Sequence, residues 1–132
     1  MCDKNLNILI VDDEPANILL LSKILQSDGY TNVMTTDKPT DTITLQQKHN
    51  FSLVLLDINM PELSGYEVLE QLRGLDNFST TKIIATSGDT SPKDIKNALD
   101  AGFDDYITKP MRMNDILDVI KKNTVGIGTF DE

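Results

Sequence analysis

The chain has 132 residues, 39% of them hydrophobic and 25% charged, with 12 Lys and Arg against 21 Asp and Glu and a formal charge of −9. That is the length and composition of one globular domain with its own core, which excludes disorder, while the negative excess opposes nucleic-acid phosphates and anionic membranes. The single cysteine, Cys2, excludes an internal disulfide or a thiolate metal site and fits a reducing cytoplasm.

Along the chain, the first apolar run, Leu6 to Val11, is interrupted by Asn7 and stopped by Asp12. It is too short for a signal peptide or a membrane span, and Ile8-Leu9-Ile10-Val11 within it reads as a strand. From Pro15 to Ser27 a helix follows, with Ile18, Leu19, Leu20, Leu21, Ile24 and Leu25 as a broad stripe expected to be buried and Gly29 placed to end it. Val33-Met34 reads as a second strand, and Lys38 to His49 as a weakly patterned helix built on Ile43 and Leu45. Leu53-Val54-Leu55-Leu56 is the third strand. Like the first it is continuously apolar, as a parallel strand covered by helices on both faces must be. Tyr66, Leu69, Leu72 and Leu75 mark a third helix, and Ile83-Ile84-Ala85 a fourth strand. Ser91-Pro92-Lys93-Asp94 reads as an N-cap, a proline at the first helical position and an acid in the first turn, ahead of Ile95, Ala98 and Leu99, with Gly102 at the end. Asp105 to Thr108 is a weaker fifth strand. Met113, Ile116, Leu117 and Ile120 form the last helix, whose C-terminal dipole Lys121 and Lys122 complement.

Five β-α units in succession predict an α/β fold, a parallel sheet with right-handed crossovers and helices on both faces. Periodicity does not fix the strand order. The domain is expected to span residues 5–123, with 124–132 a short, flexible tail.

In an open α/β sheet, ligands bind beyond the carboxyl ends of the strands. The residues there are Asp12, Asp13 and Glu14 after the first strand, Asp57 after the third, Ser87 after the fourth and Lys109-Pro110 after the fifth. Two carboxylates about 4 Å apart at an effective dielectric near 20 repel by roughly 4 kcal/mol, so such a cluster calls for a cation or a proton. Hard oxygen ligands suit Mg2+, which keeps several waters and accepts a phosphoryl oxygen. With the Lys109 ammonium, the Ser87 hydroxyl and a carboxylate nucleophile, these are the parts needed to bind and transfer a phosphoryl group. Singly, each has a plainer reading: Asp13 as a helix cap, Ser87 as a loop serine, Lys109 as a surface lysine. Asp57 does not, because a charge ending a buried strand is costly without a partner. His49, between Lys48 and Asn50, reads as a surface residue.

Asp12-Asp13, the stretch Leu-Leu-Asp57-Ile-Asn-Met-Pro-Glu-Leu-Ser-Gly-Tyr-Glu-Val, Ile-Ile-Ala-Thr-Ser87-Gly and Tyr106-Ile-Thr-Lys109-Pro110 resemble, in order and spacing, the response-regulator receiver domain of two-component signalling, of the chemotaxis-regulator type. The resemblance covers about residues 5–123 and implies a doubly wound, flavodoxin-like (βα)5 sandwich with strand order 2-1-3-4-5. It implies that Asp57 accepts a phosphoryl group from a sensor histidine kinase or a histidine phosphotransfer protein, its carboxylate being already ionised at neutral pH and needing no general base. By the same matching Asp13 and Asp57 bind Mg2+ directly, Asp12 mainly through water, and Asn59 through its backbone carbonyl. Lys109 pairs with Asp57 and then with a phosphoryl oxygen. Ser87 swings toward that group, and Tyr106 is the switch aromatic that turns inward as the hydroxyl leaves; its plainer alternative is a half-buried ring with its hydroxyl in water. Pro110 follows a cis peptide bond, and Gly65 lets the chain enter the third helix.

The implied output surface is the face of helix four, strand five and helix five, with Lys93, Lys96, Asn97, Tyr106, Lys121 and Lys122 as exposed candidates. It would signal to a partner protein or output domain, as a monomer or a phosphorylation-dependent dimer, without direct nucleic-acid or membrane binding, in the cytoplasm. The domain is not an enzyme beyond assisting its own phosphorylation and dephosphorylation. Lys82 and Gly88 depart from the commoner proline and alanine, and Asn59 and Asp89 flank the site at variable positions, where they bear on the lifetime of the phosphoryl group. A Mg2+-dependent phosphohydrolase of the haloacid-dehalogenase type would need an acid at Asn59 and a substrate-selecting cap. A receiver-like module that is never phosphorylated would not need the full set Asp12, Asp13, Asp57, Ser87 and Lys109. A flavodoxin-like nucleotide carrier would need a phosphate loop after the first strand.

Overall fold

The computed structural model describes residues 5–61, 63–75, 81–89 and 91–124. Cys2 and the segment 125–132 lie outside them, whereas Thr124, expected to begin the tail, is the buried last residue of the final helix. The chain alternates β1 (Ile8–Val11), α1 (Pro15–Ser27), β2 (Val33–Thr36), a 3-10 turn (Pro39–Asp41), α2 (Thr42–His49), β3 (Leu53–Asp57), α3 (Gly65–Arg73), β4 (Lys82–Ser87), α4 (Pro92–Ala101), β5 (Asp105–Thr108) and α5 (Met113–Thr124). The strands form one sheet in the order β2-β1-β3-β4-β5, every pair parallel, with Ile8 opposite both Val33 and Leu53 and Asp57 opposite Thr86. This is the doubly wound α/β sandwich that the resemblance implies.

Successive side chains of a strand point to opposite faces, so the continuous apolar runs split between two cores. Leu9, Val11, Val54, Leu56, Ile83 and Ala85 pack with Val68, Leu69 and Leu72 of α3 and Ala98 of α4. Ile8, Ile10, Leu53, Leu55, Ile84 and Ile107 pack with Leu21, Ile24 and Leu25 of α1 and Ile116 and Ile120 of α5. Because every strand pair is parallel, the carboxyl ends of the strands lie along one rim.

Three helices bury less than their composition suggests. In α1 only Leu21, Ile24 and Leu25 are buried, while Leu19 and Leu20 are 56% and 40% exposed. A helix lying on a sheet buries one stripe at i, i+3 and i+4, and these two leucines fall outside it. Leu99 of α4 and Met113 of α5 are likewise exposed. Gly29, at φ 98°, follows α1 in a Schellman arrangement, with Tyr30 N–H donating to Leu25 O and Gly29 N–H to Gln26 O. The second helix starts at Thr42, after the 3-10 turn opened by Pro39, and the third ends at Arg73 with Leu75 beyond it. Ser91 caps α4 through Asp94 N–H, with Pro92 opening the helix.

Sequence pattern misses a buried polar clasp on α2. Gln46 donates from Nε2 to Thr81 Oγ1 at 2.8 Å and accepts from Phe51 N–H at 3.1 Å, while Thr81 Oγ1 donates to Phe51 O at 2.8 Å. The clasp ties α2 to the starts of β3 and β4. Gln46→Leu keeps the volume but leaves the Phe51 N–H unpaired, and chemical denaturation should show a loss of about 1–2 kcal/mol. An unchanged midpoint would mean that water replaces the amide there.

Candidate functional site

The rim brings together Asp12, Asp13, Asp57 and Lys109, with Ser87 tied to the loop after Asp57 through Asn59. Asp12, Asp13 and Asp57 each offer a carboxylate oxygen within 4.8 Å of the others. Asp12 and Asp57 are buried and Asp13 is exposed. The Lys109 ammonium lies 3.3 Å from Asp12 Oδ2 and 3.3 Å from Asp57 Oδ2, carried there by β5 and the cis Lys109-Pro110 bond. The Lys109 backbone N–H donates to Ser87 O at 2.8 Å, which fixes the loop against β4.

The capping reading of Asp13 fails. Glu14 is the N-cap of α1 and makes no side-chain cap bond, and the Glu14 N–H is taken by Asp12 Oδ1 at 2.9 Å. Asp13 therefore stands at the cluster without that structural duty. Asp12 Oδ2 is fully buried and makes no hydrogen bond, so Lys109 is its charge partner.

Asp57, 2% exposed, accepts from Asn59 N–H through Oδ1 at 3.0 Å. Burial pushes its carboxyl up from 3.8 to about 6, the Asn59 N–H opposing this, the Asp12 charge adding to it and Lys109 opposing it. The carboxylate is still mainly ionised at neutral pH, as expected, but protonation begins in a less acidic range than for an unperturbed aspartate. Three carboxylates against one ammonium, one oxygen buried without a hydrogen bond, and an oxygen-only donor set fit Mg2+.

Ser87 is buried, and its Oγ accepts from Asn59 Nδ2 at 3.0 Å and from Asp89 N–H at 3.1 Å. The Tyr106 hydroxyl, at the surface, donates to Asp89 O at 2.8 Å, and its half-buried ring packs on the core beneath α3 and α4. Gly65 is the first residue of α3, where the chain enters the helix. A Cβ there would lie 2.7 Å from both Asp57 O and Ile58 Cα, so the residue is needed for close approach and not for an unusual φ. A capping box that sequence reading overlooked anchors α3 next to it: Ser64 Oγ accepts from Glu67 N–H, and Ser64 N–H donates to Glu67 Oε1. The pattern Ser-x-x-Glu was its signal. Gly88 faces open space, so sterics do not explain its departure from alanine.

On the α4-β5-α5 face Lys93, Lys96, Asn97, Lys121 and Lys122 are exposed. Lys96 pairs with Asp100 at 2.7 Å and Lys122 with Asp105 at 3.5 Å. Between α4 and α5 lies a groove of about 320 Å³ lined by Ile95, Leu99, Tyr106 and Val119, with Asp115 and Asp118 beside them. The exposed Leu99 side chain forms part of its wall. His49, expected at the surface, is half-buried against Phe51, their ring centroids 5.5 Å apart.

The family model for the response regulator receiver domain matches residues 8–121. This chain belongs to that family. The receiver is 36% identical over 123 residues to the transcriptional regulatory protein KdpE of Mycobacterium tuberculosis, covering 90% of this chain and 53% of that protein. The chain spans about half the length of the curated relatives it matches. Among solved structures, chemotaxis response regulator CheY4 of Vibrio cholerae superposes with a TM-score of 0.84 at 25% identity, over 90% of this receiver and 98% of that chain. The receiver domain of sensor histidine kinase PA1611 from Pseudomonas aeruginosa PAO1, which has a magnesium ion coordinated in its active-site cleft, gives 0.83 at 25% identity, over 92% and 99%. Among the described residues, no helix of this receiver is long and apolar enough to cross a membrane.

Proposed function

We propose that this receiver takes a phosphoryl group from the phosphohistidine of a sensor histidine kinase or histidine phosphotransfer protein onto Asp57, in a Mg2+-dependent reaction, and signals through its α4-β5-α5 face. The observation that carries this reading is the meeting of Asp12, Asp13 and Asp57 within 4.8 Å, with the Lys109 ammonium 3.3 Å from the two buried carboxylates. An Asp57 carboxylate oxygen forms a bond to phosphorus while the phosphorus–nitrogen bond to the donor histidine breaks, its electron pair leaving on the imidazole. Asn59 N–H, donating to Oδ1, orients the nucleophile. Lys109 neutralises charge that builds on the phosphoryl oxygens, and Ser87 then donates its O–H to one of them. Asp13 and Asp57 would hold Mg2+ directly, Asp12 through water, and Asn59 by its backbone carbonyl. When bound, the ion supplies positive charge that offsets the carboxylates and the incoming anion.

Movement of Ser87 and Tyr106 would carry the change to the groove bordered by Leu99 and Tyr106. There a cytoplasmic partner, an output domain or a second phosphorylated copy would respond. Pro110 and Gly65 hold Lys109 and the Asp57 loop in place. Acetyl phosphate with Mg2+ should add the mass of one phosphoryl group to the wild-type protein and none to Asp57→Asn. Beryllium fluoride with Mg2+ should shift wild-type amide resonances around Ser87 and Tyr106. Absence of any Mg2+-dependent change in the wild type under both treatments would overturn the assignment.

A further inference from the structure

The Asn59 side chain has no part in the chemistry above, yet it joins two loops. Its backbone N–H donates to Asp57 Oδ1 at 3.0 Å, and its Nδ2 donates to Ser87 Oγ at 3.0 Å. The same Oγ accepts from Asp89 N–H at 3.1 Å, and the Asp89 carbonyl accepts the Tyr106 hydroxyl at 2.8 Å. Four hydrogen bonds thus run without a gap from the phosphoacceptor carboxylate to the aromatic ring bordering the α4-β5-α5 groove.

A serine hydroxyl has two lone pairs and one proton. In Ser87 both lone pairs face N–H donors, one from across the cleft and one from its own loop. Side chains move between staggered wells about 120° apart, so Ser87 cannot turn toward Asp57 and keep both donors. Turning also releases Asp89, on which Tyr106 is anchored. We infer that the Asn59 carboxamide is a positioning residue that holds the Ser87 hydroxyl in its resting place, so that phosphorylation must break this bond before Tyr106 can respond. The inference rests on the phosphoacceptor reading of Asp57 and adds to it a restraint set by one side chain. Asn59 is exposed, so removing its amide spares the core.

The test is a double-mutant cycle of wild type, Asn59→Leu, Ser87→Ala and the double variant, with Asn59→Ala as a second form of the first change. In metal-free protein, Asn59→Leu should shift the Asp89 amide and Tyr106 ring resonances. With Mg2+ present, it should lower the beryllium fluoride midpoint about two- to tenfold, the factor one neutral hydrogen bond contributes. In the Ser87→Ala background the same change should add nothing to either readout, because the bond is already gone. Equal effects with and without the Ser87 hydroxyl, unmoved Asp89 and Tyr106 resonances, or an unchanged or raised midpoint would each overturn the inference. A wild type that ignores beryllium fluoride would instead sink the phosphoacceptor reading, and the metal-free cycle would still decide the role of Asn59.

Discussion

Gly65→Ala should destabilise the receiver by about 3 kcal/mol, the upper end of what overpacking costs, and should slow phosphoryl transfer beyond what the lost stability explains. The new Cβ would meet Asp57 O and Ile58 Cα at 2.7 Å and Asp57 C at 3.2 Å. All three are backbone atoms, so no side chain can rotate out of the way. The strand end is itself pinned: Ile58 N–H donates to Thr86 O and Gly65 N–H to Ile58 O, while the capping box fixes α3. Either α3 slides outward or the end of β3 bends, and Asp57 sits on the part that bends. A misplacement of 1 Å in a reacting group costs about a hundredfold in rate. Urea denaturation reads the first effect, and acetyl phosphate kinetics on the folded variant read the second. A stability loss under about 1 kcal/mol would mean that the loop after β3 gives more easily than its hydrogen bonds imply.

Asp57→Asn should stabilise the metal-free protein while abolishing phosphorylation. Burial raises the folded Asp57 carboxyl to about 6, against 3.8 for an unperturbed aspartate. Between those values the folded chain holds a proton that the unfolded chain has lost, so wild-type stability falls as pH rises through that window and levels off above it. At neutral pH the accumulated cost is on the order of 3 kcal/mol, and asparagine does not incur it. The two proteins should therefore converge below pH 4, differ most above pH 6 and come closer again in excess Mg2+, which stabilises the wild type by binding its folded form. Denaturation midpoints across that range check the claim. A gap independent of pH, or a variant less stable than the wild type at neutral pH, would contradict it.

The backbone plan and most of the rim were legible in the sequence because both depend on strong local signals. Ile8 to Val11 and Leu53 to Leu56 have no polar alternation, which only a doubly covered parallel strand tolerates, and Asp12, Asp57, Ser87 and Lys109 follow such strands at one end. Side-chain partnerships were not legible, because they join residues far apart in sequence. Nothing near Gln46 points to Thr81, and nothing near Asn59 points to Ser87. Apolar composition also overstated burial at Leu19, Leu20, Leu99 and Met113, since it reports what a residue prefers and not whether a neighbour is there to cover it. Gly65 was recognised as the entry to the third helix, but the close approach of β3 that excludes a side chain there is visible only in the assembled fold.

The sheet order has a further consequence. Asp12 comes from the end of β1, Asp57 from β3, Ser87 from β4 and Lys109 from the loop after β5, whereas the edge strand β2 contributes no residue to the rim. Lys109 reaches Asp57 only when β5 is docked on β4, so the one ammonium against these carboxylates depends on the last strand of the sheet.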